Sequence, residues 1–407
     1  MLLSLFQVDT GDTAWLLAAI CGVLIMSPGL AMFYGGLLRK KNVLNMYALV
    51  FVSMFLSTIT WMIVGYSIAF GDTIGKVFGN PLQYFGTTGI WEDSALIGTI
   101  PLSVFIAFQC MFVMITAAIL ASPFAERAKF SSYMLLITIW SIIVYTPIAH
   151  WVWGGGFLGA NGLGAIDFAG GTVVHVNVGF SALAVALVIG PRIDYQKYNH
   201  KPNDLKMLMA GLGLLWFGWF AFNGGSALAA NNIAGLAILN TNVAACGAAV
   251  IWIIMEFADK NKGKPSLVGM ATGVLAGLVG ITPSAGNVEP IAALLIGMIT
   301  SDCVYKALAW RNKSSIDETL DAFACHGVGG VVGSILAGVF ATINATSLIT
   351  GDIAQLGVQI IGVLVTAIYS FVLTFAIAMI VKKLMGLRVL KEEEYIGVDL
   401  AQHGEVV

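Results

Sequence analysis

The 407-residue chain carries 20 Lys and Arg and 22 Asp and Glu for a net charge of −2, is 10% charged and 58% hydrophobic, and has a mean hydropathy of +0.89. Soluble domains are about 25% charged, so this composition excludes a water-soluble globule; the absence of a basic face with interleaved aromatics excludes nucleic acid as a partner. Charges gather between long apolar runs, which points to one multi-span unit in a cell membrane. The cysteines (Cys21, Cys110, Cys246, Cys303, Cys325) are scattered and never in CxxC spacing. They read as small apolar residues, not as a metal site or disulfide framework.

From the N-terminus, MLLSLFQVDTGDTAW contains no Lys or Arg, so it lacks the basic region of a secretory leader; the first apolar run is expected to be a retained helix. A membrane helix needs about 20 mostly apolar residues. Eleven runs qualify, at 13–36, 43–70, 101–122, 131–152, 171–190, 207–229, 233–257, 266–282, 288–308, 324–343 and 353–384. The fifth, eighth and tenth are rich in Gly and Ala, which let membrane helices approach closely.

The basic residues test that count. With eleven spans every Lys and Arg except Lys76 falls in an odd-numbered connection, in the tail, or, as Lys306, Lys382 and Lys383 do, in the last residues of the span that leads there. Lys and Arg collect on the cytoplasmic side, which places the N-terminus outside and the C-terminus inside. A ten- or twelve-span reading scrambles this separation.

Eleven spans divide into five, five and one, and two sets of five in one chain must run in opposite directions, the inverted repeat of many transporters. The fifth run opens DFAGGTVVHVNVG and the tenth ETLDAFACHGVGG. Each leads from an acidic residue (Asp167, Glu318) to a histidine eight positions later (His175, His326).

Ionisable groups inside spans are costly and usually functional. His200 and His403 fall in cytoplasmic segments and are expected to be solvated; His150, beside Trp151 and Trp153, suits an interfacial anchor or a helix-end hydrogen bond. His175 and His326 lie within apolar runs. One buried histidine is as well explained by packing; two at mirrored places point to function, with donors and acceptors for a small polar solute. They lack the company of a metal site. Asp167 suits the N-cap of a Gly-Gly-Thr helix start first, and an anion favouring a nearby cation second. The strings FQCMF (108–112), HWVWGGG (150–156) and WFGWFAFNGGS (216–226) offer aromatic faces for a cation, although from periodicity alone an interfacial aromatic belt is the better explanation.

SPGLAMFYGGLLRKKNVLNM (27–46), FQCMFVMITAAILASPFAERAKF (108–130), AHWVWGGGFLG (149–159), DFAGGTVVHVN (167–177), WFGWFAFNGGSALAANN (216–232), ACHGVGGVVG (324–333) and the tail GVDLAQHGE (397–405) resemble the ammonium transporter family (Amt/Mep/Rh), in its bacterial-type Amt branch. The resemblance runs nearly end to end, with no departure at the positions below. It implies an all-α membrane fold of eleven helices, a homotrimer with one pore per subunit, and transport of NH4+/NH3, with methylammonium as an analogue and no cofactor. It implies that Trp153, Ser226, Phe108 and Asp167 form an outer recruitment site, Phe112 and Phe222 a gate, and His175 and His326 a twin-histidine lumen. Glu318 and Asp321 both stand where the family has a second acidic residue. Residues 1–386 would form the transmembrane domain and 387–407 a cytoplasmic regulatory tail, beneath which a PII signalling protein docks in bacterial relatives. A neutral-gas channel of the Rh type and an ammonium sensor are the other classes; sensors of the family append a signalling domain, and the tail here ends at Val407. No nucleophile–base pair or nucleotide loop suggests an enzyme.

Overall fold

The computed structural model of the protein describes residues 8–90, 95–197, 201–260 and 263–406, so His200 and Lys262 lie outside the described residues. Among the described residues eleven helices are long and apolar enough to cross a membrane: α1 (Thr10–Leu37), α2 (Lys40–Phe70), α3 (Leu102–Phe124), α4 (Phe130–Val152), α5 (Gly171–Ile189), α6 (Leu205–Gly225), α7 (Asn232–Ala258), α8 (Leu267–Ser284), α9 (Pro290–Lys313), α10 (Phe323–Phe340) and α11 (Ile353–Met385). Two short helices follow, α12 (Lys391–Ile396) and α13 (Val398–His403). Among the described residues the strands form two minimal hairpins between α2 and α3.

Polar caps explain several starts. Asp9, Asp204, Asn231, Ser266 and Asp352 each accept a backbone N–H of the first turn of α1, α6, α7, α8 and α11. Most boundaries fall within three residues of the hydropathy reading, and two differ by more. α6 stops at Gly225, where turns replace the expected end at 229. α9 continues past 308 to Lys313, with Lys306 paired to Asp302 and the buried Arg311 paired to Asp321.

Apolar side chains cover much of the outside, with Phe55 59%, Ile368 63% and Ile353 72% exposed. On a soluble monomer such coverage would be an aggregation liability; hydrocarbon solvates it.

Helices in lipid gain no hydrophobic drive toward one another, so close backbone approach must hold them together. α1 packs on α6 and α5 on α10, so the first helices of the two sets of five pair with each other, and so do the last. In the first pair, Gly22 and Gly29 of α1 face Gly211 and Gly218 of α6; a Cβ at Gly211 would fall 2.4 Å from Phe33 N, and one at Gly218 2.2 Å from Met26 Cγ. In the second pair a Cβ at Gly179 would fall 2.1 Å from Gly327 N. Only glycine permits that crossing.

The odd-numbered connections meet on one face. Glu126 binds Arg39 and Arg192, each at 2.7 Å; Arg192 also binds Asp317 at 2.8 Å, and Arg39 binds Asp194 at 2.6 Å. Burial pushes the Glu126 carboxyl up, but the Arg39 hydrogen bonds and the charges of Arg192 and Arg39 outweigh it and hold the group at about 2. The tail joins this face. Arg388 pairs with Glu394 at 2.7 Å, Glu394 accepts Ile193 N at 2.8 Å, and Asp399 accepts Leu44 N at 3.0 Å and Asn45 N at 2.7 Å. His403 is not solvated as its position suggested: it hydrogen-bonds Asn45 Nδ2 at 3.0 Å and its ring lies edge-on to Phe130 at 5.0 Å. On the opposite face, Lys76 donates to Asn161 O at 3.0 Å.

Candidate functional site

α3 presents Phe105, Gln109 and Phe112 at intervals of four and three, hence on one helical face. That face lines a cavity of about 330 Å³ opening away from the basic face, closed by Phe70, Ile97, Val152, Trp153, Phe168, Ser226 and Leu228. The Trp153 indole N–H donates to the backbone carbonyl of Asp167 at 2.9 Å, which fixes the ring. Ser226 Oγ donates to Phe222 O at 2.8 Å, so its lone pairs remain to accept from a solute.

The floor of the cavity is aromatic. Phe112 stacks on Phe222 with ring centroids 4.3 Å apart and planes 28° apart, and meets Trp153 edge-on at 5.8 Å. Both phenylalanines are buried. Phe108 does not line the cavity; it lies fully buried behind Phe112, edge-on at 5.0 Å, against Gly225.

Beyond the rings lies a second cavity of about 10 Å³, lined by Met26, Leu30, Ile115, Ile119, Val174, His175, Leu215, Trp219, Phe222, Leu275 and His326. A space that small admits about one water-sized molecule. Apart from the two imidazoles its wall is nearly all apolar. The histidines face each other with Nδ1 atoms 3.2 Å apart and ring centroids 5.2 Å apart. An Nδ1···Nδ1 hydrogen bond needs one protonated and one bare nitrogen. Two neutral rings therefore adopt opposite tautomers, turning one Nε2 lone pair and one Nε2–H outward. His175 Nε2 has no protein partner among the described residues. Its ring is held by Trp219, stacked at 5.5 Å and 24°, whose own N–H donates to Thr282 Oγ1 at 2.9 Å.

Both histidines lie in π-helical turns, Gly171–Val176 and Phe323–Val328. His175 N bonds Gly170 O, five residues back, at 3.0 Å. Such turns are rare and concentrate at functional places. The acidic residues eight positions earlier open them. The Asp167 carboxylate accepts Gly170 N at 2.7 Å, Gly171 N at 2.5 Å, Thr172 N at 2.8 Å and Val173 N at 3.1 Å, and also the Thr172 hydroxyl at 2.5 Å. Asp167 is thus a cap, and it reaches the vestibule only through its carbonyl on Trp153. Glu318 accepts Phe323 N at 3.0 Å and the Ser122 hydroxyl, whereas Asp321 pairs with Arg311. Glu318 is therefore the geometric mate of Asp167. Burial, then the Asp321 charge, raise the Glu318 carboxyl to about 7 against the pull of its hydrogen bonds. His150, fully buried, bonds Ala69 O at 3.0 Å and Thr73 Oγ1 at 2.8 Å, ending α4 as a helix-end hydrogen bond. Among the described residues no three His, Cys, Asp or Glu gather as a metal site.

Sequence reasoning missed Gln109, Phe70, Phe105 and Phe168 in the vestibule and Trp219 beside the histidines. The four-and-three spacing of Phe105, Gln109 and Phe112 was the available signal.

The sequence model of the Ammonium Transporter Family matches residues 14–407. The chain is 44% identical over 399 residues to the ammonium transporter Amt1 of Archaeoglobus fulgidus, covering 97% of this chain and 98% of that one. It is 46% identical to an ammonium transporter of Aquifex aeolicus, covering 98% and 93%. Among solved structures, one titled "Sensor Amt Protein" superposes with a TM-score of 0.90 at 33% identity, covering 97% and 98%. With eleven membrane-spanning helices and a match along nearly its whole length, this chain belongs to the ammonium transporter family.

Proposed function

We propose that the protein conducts ammonium inward by taking NH4+ at the aromatic vestibule, removing its charge, and passing NH3 along His175 and His326. The N-terminus and vestibule lie outside, and the basic face with the tail lies in the cytoplasm. The observation that carries this reading is the imidazole pair at 3.2 Å in an apolar cavity sealed by stacked phenylalanines.

A cation held by Trp153 gains about 0.5–2 kcal/mol from the ring face, and the Ser226 lone pairs accept one of its N–H groups. A charge at the bilayer centre costs at least about 2.5–3.5 kcal/mol. The two imidazoles lack the ligand number to offset that for an intact ion, but they match a neutral molecule with three N–H groups and one lone pair. K+ has no proton to leave behind, so it is held back at a similar size. Phe112 and Phe222 must swing aside for passage, and Phe108 supports the Phe112 ring instead of touching the ion.

The test is methylammonium uptake in transporter-null cells and in liposomes. His175→Leu and His326→Leu should each cut the rate more than tenfold in protein that still folds, and uptake at the unaltered rate would sink the reading. The likeness to the structure titled "Sensor Amt Protein" favours a second reading, binding without transport; absence of uptake by the unaltered protein in liposomes would establish it. The proposal extends to a homotrimer, tested by light scattering of the purified protein, and to a PII protein docked on the basic face, tested by co-purification.

A further inference from the structure

Gln109 is the polar interruption of an otherwise aromatic stripe on α3. It lines the vestibule between Phe105 and Phe112, is 8% exposed, and its Oε1 has no hydrogen-bond partner among the described residues. A buried amide carbonyl without a donor is costly to keep. The side chain's last torsion is broad, so its oxygen can turn to the cavity. Ser226 stands in the same cavity with its hydroxyl proton committed to Phe222 O. The vestibule thus combines aromatic faces, which respond to charge alone, with two oxygens that respond to N–H.

We propose that Gln109 Oε1 is a further specificity-determining contact of the vestibule, accepting a hydrogen bond from the bound cation and so favouring ions that carry N–H over ions of equal charge that do not. This rests on the reading of the vestibule as the entry site. Trp153 supplies attraction that any small cation shares. Gln109 and Ser226 supply the part that depends on hydrogen-bond donors. Because Gln109 acts before the rings are passed, its removal should change affinity at entry and spare the later steps.

The experiment uses the full chain in liposomes, with ammonium half-saturation measured beside inhibition by tetramethylammonium, a cation without N–H. Gln109→Leu should raise the ammonium half-saturation about tenfold, change the maximal rate less than twofold, and leave the tetramethylammonium inhibition constant within twofold. Gln109→Glu, which keeps an acceptor, should restore or tighten ammonium half-saturation; it also serves if the Leu variant fails to fold. Equal weakening of both ions by Gln109→Leu would mean that the side chain only shapes the cavity, and an unchanged ammonium half-saturation would likewise overturn the assignment. Trp153→Leu separates the two levels: it should weaken both ions. If Trp153→Leu weakens neither, or tetramethylammonium does not inhibit the unaltered protein, the entry-site reading itself falls.

Discussion

At the residue scale, Asp167 shows how one side chain serves a site it does not face. Its carboxylate binds four backbone N–H groups and a hydroxyl at the start of α5, while its carbonyl holds the Trp153 ring. Asp167→Ala leaves those amides without an acceptor, and a lost cap alone costs about 0.5–2 kcal/mol. Thermal unfolding in detergent should show a loss at the upper end of that range or beyond, with ammonium half-saturation raised because the loosened start of α5 no longer fixes the Asp167 backbone carbonyl that holds Trp153. Asp167→Asn keeps one oxygen and should fall between. Two carboxyls on the basic face give opposite pH signatures. Glu126 has an ordinary value of 4.5 and about 2 in the fold, so the stability it lends is complete above 4.5 and vanishes as pH falls through 2. Glu318 has an ordinary value of 4.5 and about 7 in the fold, so its contribution is complete below 4.5 and is lost as pH rises through 7. Melting curves of Glu126→Gln should lose the acid-side decline, and those of Glu318→Gln the decline between 4.5 and 7.

At the scale of elements, the crossing of α5 and α10 decides whether two imidazoles can meet. The backbones touch at Gly179 and Gly327, close to the histidines in sequence. Gly179→Ala inserts a methyl where neither chain can yield without a shift, and overpacking of this kind costs about 1–3 kcal/mol. Uptake should fall further than the melting temperature implies, because the shift separates His175 from His326. Much of the element pattern was legible beforehand. The spans follow from hydropathy and from the side-by-side separation of Lys and Arg, and the mirrored acid–histidine spacing singled out α5 and α10. The π-helical turns were not legible, because they are a change in hydrogen-bond partner by one residue that leaves apolar periodicity almost untouched. Nor was the place of Phe108: FQCMF states that two rings lie four apart, not which of them faces the cavity.

At the scale of the whole molecule, the tail is built into the basic face instead of hanging from it. Leu387 O accepts Lys129 N at 2.9 Å, Val389 N donates to Arg127 O at 3.0 Å, and Asp399 caps the start of the long part of α2. The composition of KEEEYIGVDLAQHGE reads as solvent-loving because docking depends on partners far away in sequence. Asp399→Ala should release it: hydrogen exchange at 391–403 should quicken and proteolysis there should increase, while the bundle keeps its melting temperature within a few degrees. If exchange stays slow, the Asp399 contacts are dispensable for docking.

The shared proton between His175 and His326 has one more implication. Moving that Nδ1 proton alone would leave an imidazolate beside an imidazolium, so the rings exchange bare nitrogen for N–H only when a proton also arrives at one Nε2 and another leaves the other. The polarity of the pair, with its Nδ1 atoms 3.2 Å apart, is therefore fixed until both proton moves are made, and none of the heavy atoms need shift for them. On the proposed function, a pair that holds no store of energy sets no direction of its own, and net flow would follow whichever side holds the greater supply.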